Sequence, residues 1–127
     1  MSFTNFLETE ILDHVFAGAA YTAPTTKYLA LFTAVADGEA SSVTEVSGGG
    51  YARQTVAFTT SGNTTSNNAA VEYPTATANY GTVTHVGVYD ASSSGNLMAY
   101  AALSSNKTIE TGDVFRVPSG DLDITLN

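Results

Sequence analysis

The segment EVSGGGYARQTVAF, residues 45–58, sets three consecutive glycines ahead of a tyrosine and an arginine. A phosphate-cradling loop needs a strand before such glycines, a helix directly after them, and backbone N–H groups aimed at the anion. Here no Gly-Lys-Ser/Thr ending follows, and the residues after Tyr51 alternate as in a strand. The run is therefore read as connecting chain that feeds a strand, with glycine supplying positive φ at no steric cost.

His14 and His85 are the only imidazoles. Asp13 adjoins His14 but points elsewhere on a helix, and His85 lies inside a strand-like run. Catalytic triads assemble in space, yet no Gly-x-Ser-x-Gly turn presents a serine nucleophile. Both histidines are read as structural, His85 as a half-buried strand residue bonded to a neighbour. Asp121 and Asp123 share one strand face, with Asp113 in a nearby turn. The fixed ligand ladder of an EF-type calcium loop is absent, and paired carboxylates for glycoside hydrolysis need a cleft at a defined separation. They are read as solvated. The chain has no cysteine, which excludes disulfides and thiolate chemistry. The expectation is a protein that is not an enzyme, with no cofactor and no metal.

Twelve acidic residues against four basic ones give a net charge of −8. Lys27, Arg53, Lys107 and Arg116 are far apart in sequence, so neither nucleic acid nor an anionic membrane is expected as partner. Asn63-Thr64-Thr65 and Asn106-Lys107-Thr108 match the glycosylation acceptor pattern and are read as turns. Tyr51 and Tyr80 each adjoin a glycine in a turn region and are expected to be exposed. With Arg53 beside the first, they are the candidate interaction residues, because exposed tyrosine anchors many interfaces.

The elements that must position these side chains are mostly strands. The one helix candidate is residues 1–18, where Phe3, Leu7, Ile11 and Val15 recur every four residues and Leu12 and Phe16 widen the stripe. Asn5 with Glu8 forms a candidate capping box, and Gly18 a stop. An amphipathic helix this short needs something to pack on. From Lys27 onward, short strands alternate with turn clusters. KYLALFTA (27–34) is apolar at nearly every position, as in a strand covered on both faces. ARQTVAFT (52–59) and AAVEY (69–73) follow. TVTHVGVYD (82–90) places Val83, His85, Gly87 and Tyr89 on one face and Thr84, Val86 and Val88 on the other.

ASSSG reads as a hairpin loop to NLMAYAAL (96–103), and KTIE with VFRVP as a second hairpin over Thr111–Asp113. DLDITL (121–126) turns Leu122, Ile124 and Leu126 inward. Residues 34–50 and 60–68 read as long polar loops and become candidates for partner contact.

At 127 residues, 43% hydrophobic and only 13% charged, the chain is a single β-rich domain, 1–127, with its strands and loops in 27–127. The expected fold is mainly β, an antiparallel β-sandwich or jelly-roll-like barrel with one short N-terminal amphipathic helix. MSFTNFLETEIL lacks a basic n-region and a continuous apolar core, so synthesis and folding in a cytoplasm are expected.

Taken together, EVSGGGYARQTVAF, VTHVGVYDA, GNLMAYAAL and GDVFRVPSGDLDITL resemble a family of short virion proteins of tailed bacteriophages. Its members are labelled tail-fibre-like, and related ones serve as capsid decoration or cement proteins. The resemblance implies a β-rich fold and no catalytic residues. It leads to the expectation of a homotrimer on the capsid exterior, bound to the major capsid protein. The alternatives are a tail-associated or fibre-base component contacting other tail proteins, and a host-surface carbohydrate-binding module using Tyr51, Tyr80 and Tyr89.

Overall fold

A computed structural model describes residues 1–127. In chain order the elements are β1 (Ser2–Phe3), α1 (Asn5–Phe16), β2 (Lys27–Asp37), β3 (Ser42–Glu45), β4 (Gln54–Val56) and β5 (Phe58–Ser61). Then come β6 (Thr64–Asn67), β7 (Val71–Glu72), β8 (Gly81–Tyr89), β9 (Leu97–Ile109), β10 (Arg116–Val117) and β11 (Asp123–Thr125). The fold is mainly β and antiparallel throughout, but no barrel closes. The main sheet runs β1-β9-β8-β2-β3, with β4 on the same edge of β2 as β3. Two smaller sheets, β10-β7 and β11-β6-β5, stand apart from it.

The near-continuous apolar run of β2 is covered on both faces, as its composition demands. Leu29 and Leu31 join the larger core cluster with Val56, Tyr73, Val86 and Val88. Ala30 and Phe32 join Tyr89 and Leu97 in a smaller cluster on the opposite face. Val83 departs from simple alternation: it lies in the core with Val86 and Val88, not with Tyr89. The cause is a bulge. Val83 pairs with Lys107 and His85 with Ala102, so residues 103–106 of β9 have no regular partners and the facing of β8 switches between Val83 and His85.

The bulge also carries β9 on to Ile109, far beyond the expected end at 103. The anticipated KTIE–VFRVP hairpin therefore does not form. Lys107–Ile109 pairs with the start of β8, while Arg116–Val117 pairs with β7. The Thr111–Asp113 turn survives alone, closed by Asp113 N–H donating to Glu110 C=O at 2.9 Å, with Gly112 at φ 92°. Asn106 accordingly lies on a strand, whereas Asn63 does sit at a hairpin turn.

The two polar runs expected to be loops are hairpins instead. β2 and β3 flank residues 38–41, and β5 and β6 flank Gly62 and Asn63. SVTE and TTSN carry almost no apolar signal, yet β-branched threonine and valine favour a pleated backbone, as an edge in β3 and as the central strand of its sheet in β6. β11 adds to β6, but only Leu122 is buried there, and Leu126 is exposed.

Asn67 ties this small sheet down from a buried position. Its side-chain amide donates to Ala69 and Pro118 carbonyls, both at 2.9 Å, and its oxygen accepts the Leu122 N–H at 2.9 Å. Asn67→Ala leaves those groups without partners, and urea unfolding is expected to show a loss of about 2–3 kcal/mol.

Helix α1 is capped by Thr4, not Asn5. The Thr4 hydroxyl accepts from Leu7 N–H and donates to the Leu97 carbonyl at 2.6 Å, while Thr4 N–H bonds Met98 C=O at 2.9 Å. The first turn is thus riveted to β9. Gly18 ends the helix as expected, at φ 75°, with Ala19 N–H returning to Asp13 C=O at 3.0 Å.

Candidate functional site

The segment 46–53 leaves and rejoins one edge of β2. Glu45 pairs opposite Phe32 and Gln54 opposite Leu29, so the segment between them bows away from Ala30 and Leu31. All three glycines of the bow have positive φ: 77° at Gly48, 63° at Gly49 and 79° at Gly50. The reading of this run as connecting chain is borne out. The gap it leaves is filled by Val46 N–H, which donates to Leu31 C=O at 3.0 Å, and by the Tyr51 hydroxyl, which accepts Leu31 N–H at 3.1 Å.

Around that hydroxyl the three candidate interaction residues come together, but inside the molecule. Tyr51 donates to Glu45 Oε2 at 2.6 Å. Arg53 grips the same carboxylate through Nε at 2.9 Å and a terminal nitrogen at 2.8 Å. Its other terminal nitrogen donates to the carbonyls of Ala91 at 2.9 Å and Ser94 at 2.8 Å, and the guanidinium lies 3.5 Å from the Tyr89 ring centroid. Tyr51 stacks on Tyr73 at 5.9 Å and meets Tyr80 edge-on at 5.8 Å.

The expected exposure of Tyr51 and Tyr80 is therefore corrected. Tyr80 is buried, Tyr51 is half-buried, and the Arg53 side chain is only 7% exposed. The physical reason is cross-packing: each ring finds another aromatic face, and the lone bidentate ion pair is shielded by the β8–β9 loop. The carbohydrate reading loses its aromatic platform, since Tyr89 is also buried beneath Arg53.

Burial, and then the bond to Glu45, push the Tyr51 phenol far above its ordinary value of 10.0. Burial raises Tyr73 well above 10.0 too. Groups raised on folding contribute stability that is intact below their unfolded pKa and lost as pH rises beyond it. The melting temperature followed by circular dichroism is expected to hold through neutral pH and fall above about pH 10. Tyrosinate absorbance from these two rings is expected only with unfolding.

The remaining singled-out groups serve local structure. His85 is half-buried, with Nδ1 2.7 Å from the Thr84 hydroxyl, and His14 Nδ1 accepts Tyr21 N–H at 3.0 Å. Asp113 caps its own turn by accepting Glu110 N–H at 2.8 Å, and Asp123 accepts from the Ser66 hydroxyl.

The surface that stands out is on α1. None of its residues is buried, and Leu12, Val15 and Phe16 are 57%, 60% and 81% exposed. At 100° per residue, Phe6, Leu7 and Ile11 turn toward the body while Leu12, Val15 and Phe16 turn away from it. Only the first half of the expected apolar stripe is covered. The sequence carried this signal, because Leu12 and Phe16 widen the stripe past what one contact face can hide. Beside the helix lies an apolar groove of about 270 Å³, walled by Phe3 and Leu7, Tyr21 and Pro24, Phe58 and Ile124. Lys27 is its only charged lining residue.

A family model described as Podophage GP4 fiber I protein gp80 matches residues 2–125. The chain belongs to this family. The resemblance to tailed-phage virion proteins is thereby borne out, and membership in the podophage fibre family makes this a virion structural protein. A comparison with curated proteins finds no match. No helix of this family member is long and apolar enough to cross a membrane.

Proposed function

We propose that the protein is a fibre-associated subunit of the phage tail, an adaptor that works by gripping neighbouring protein subunits and not by chemistry. The observation that carries this reading is the outward face of α1: three large apolar side chains in helical register with no partner in the chain. Scattered exposed apolar residues are ordinary, but a patterned triplet on the outer face of a helix is the form helix-docking interfaces take. The family description supports the fibre placement. A long fibre needs repeats or heptads, which the sequence lacks, so a base or adaptor position follows.

One observation favours a second reading, capsid decoration by a homotrimer seated on the major capsid protein. The chain folds around one principal core with no elongated shaft, as a cement subunit would. A subunit that binds only the assembled shell stabilises it by mass action.

Electron cryomicroscopy of the intact particle tests both. A dozen or fewer copies at the tail is the expected result. Hundreds of copies on the head would replace the fibre reading with decoration, and absence from the particle would overturn both.

A further inference from the structure

The exposed triplet and the groove lie on opposite sides of α1. Phe3 and Leu7 wall the groove, whereas Leu12, Val15 and Phe16 project from the outer side of the helix. The two features match in shape and polarity. An apolar cavity of about 150 Å³ accepts a benzene ring, so a groove of about 270 Å³ has room for a phenyl ring with an aliphatic neighbour.

They also match in charge. Helix α1 carries Glu8, Glu10 and Asp13 and no lysine or arginine. Glu8 precedes Leu12 by four residues and so shares its outer face. Two such helices meeting face to face would bring acid against acid. The groove, in contrast, offers Lys27, one of only four cationic residues in the chain.

Resting on the reading of the outer face of α1 as a docking surface, we propose its occupant: the groove of a second copy of this chain. Phe16 of one copy enters the groove of the next, and Glu8 meets Lys27. The two patches face opposite sides of α1, so one partner cannot engage both at once, and the contact is heterologous. A heterologous contact cannot close between two copies, and it closes only as a ring of three or more.

Multi-angle light scattering on the full chain over a concentration series tests this. The wild type is expected to form a discrete ring of three or more copies. Phe16→Glu alters an exposed side chain and is expected to weaken association about 30-fold or more, as loss of an interface anchor does. Ala23→Glu places an acid at an exposed groove residue and is expected to do the same. Circular dichroism melts verify that both variants fold.

The decisive measurement mixes the two variants. Only one junction remains competent, the helix of Ala23→Glu in the groove of Phe16→Glu, so a one-to-one dimer is expected. A monomeric wild type, a wild type that stops at dimers, a Phe16→Glu variant that assembles normally, or a mixture that stays monomeric would each overturn the proposal. A chain that is monomeric in solution yet present on the particle removes this inference alone. A chain that forms rings but is missing from the particle removes the virion placement instead.

Discussion

Glu45→Ala is expected to lower unfolding free energy by about 3–5 kcal/mol, seen as a lower urea midpoint and a melting temperature many degrees lower. The effect is large because one carboxylate accepts three hydrogen bonds, one from Tyr51 and two from Arg53. Without it, Arg53 keeps a charge on a side chain that is 7% exposed, and the Tyr51 hydroxyl loses its acceptor. Glu45 is itself 25% exposed, so water entering the vacated space replaces only part of what the carboxylate supplies. With Glu45 in place, Arg53→Lys is expected to keep little of the stabilisation, since an ammonium cannot span Glu45, Ala91 and Ser94 as the guanidinium does. A charge-neutral Arg53→Met on the Glu45→Ala background is expected to restore part of the loss, because it removes the stranded charge.

Phe32→Ala is the second large effect, again about 3–5 kcal/mol, from a fully buried ring in the smaller core cluster. It has an informative companion at Gly87, which pairs with Ala30 and lies diagonally across β2 and β8 from Phe32. A Cβ on Gly87 would lie 2.5 Å from the Phe32 ring and 2.7 Å from Leu97 Cδ1. Gly87→Ala alone is therefore expected to cost about 1–3 kcal/mol through overpacking. On the Phe32→Ala background the same methyl enters the vacated space, so the two changes are expected to sum to less than their separate costs in a double-mutant cycle.

Much of the fold could be read from residue pattern. The two-sided burial of KYLALFT, the ASSSG hairpin and the stop at Gly18 all follow from local periodicity and turn chemistry. What escaped has specific causes. SVTE and TTSN look like loop because neither shows a regular apolar side: SVTE is an edge strand, and TTSN, central between β5 and β11, is held by hydrogen bonds among polar side chains across both neighbours. The bulge in β9 is a matter of pairing register, which neither strand encodes alone, and it moved Val83 to the core and displaced the expected second hairpin. Thr4 and Asn5 are both competent caps, and the choice was made by the carbonyls of Leu97 and Met98 waiting on β9.

For the candidate site, the residue types were visible and their surroundings were not. Tyr51, Arg53 and Tyr80 do converge, but stacking among distant tyrosines buried what a turn-rich context suggested would be exposed. The stripe on α1 was visible too. Which half of it remains uncovered depends on where the helix meets β9, a tertiary fact.

The phenol that completes the hydrogen bonding of Leu31 has one more consequence. LALF, in the middle of β2, is a short, uncharged, strongly apolar stretch of the kind that stacks into cross-β aggregates when its edge is bare. β3 and β4 shield the two ends of that edge, and Tyr51 seals the opening between them, so no stray chain finds a template there. Copies of the chain thereby stay clear of one another's most adhesive segment.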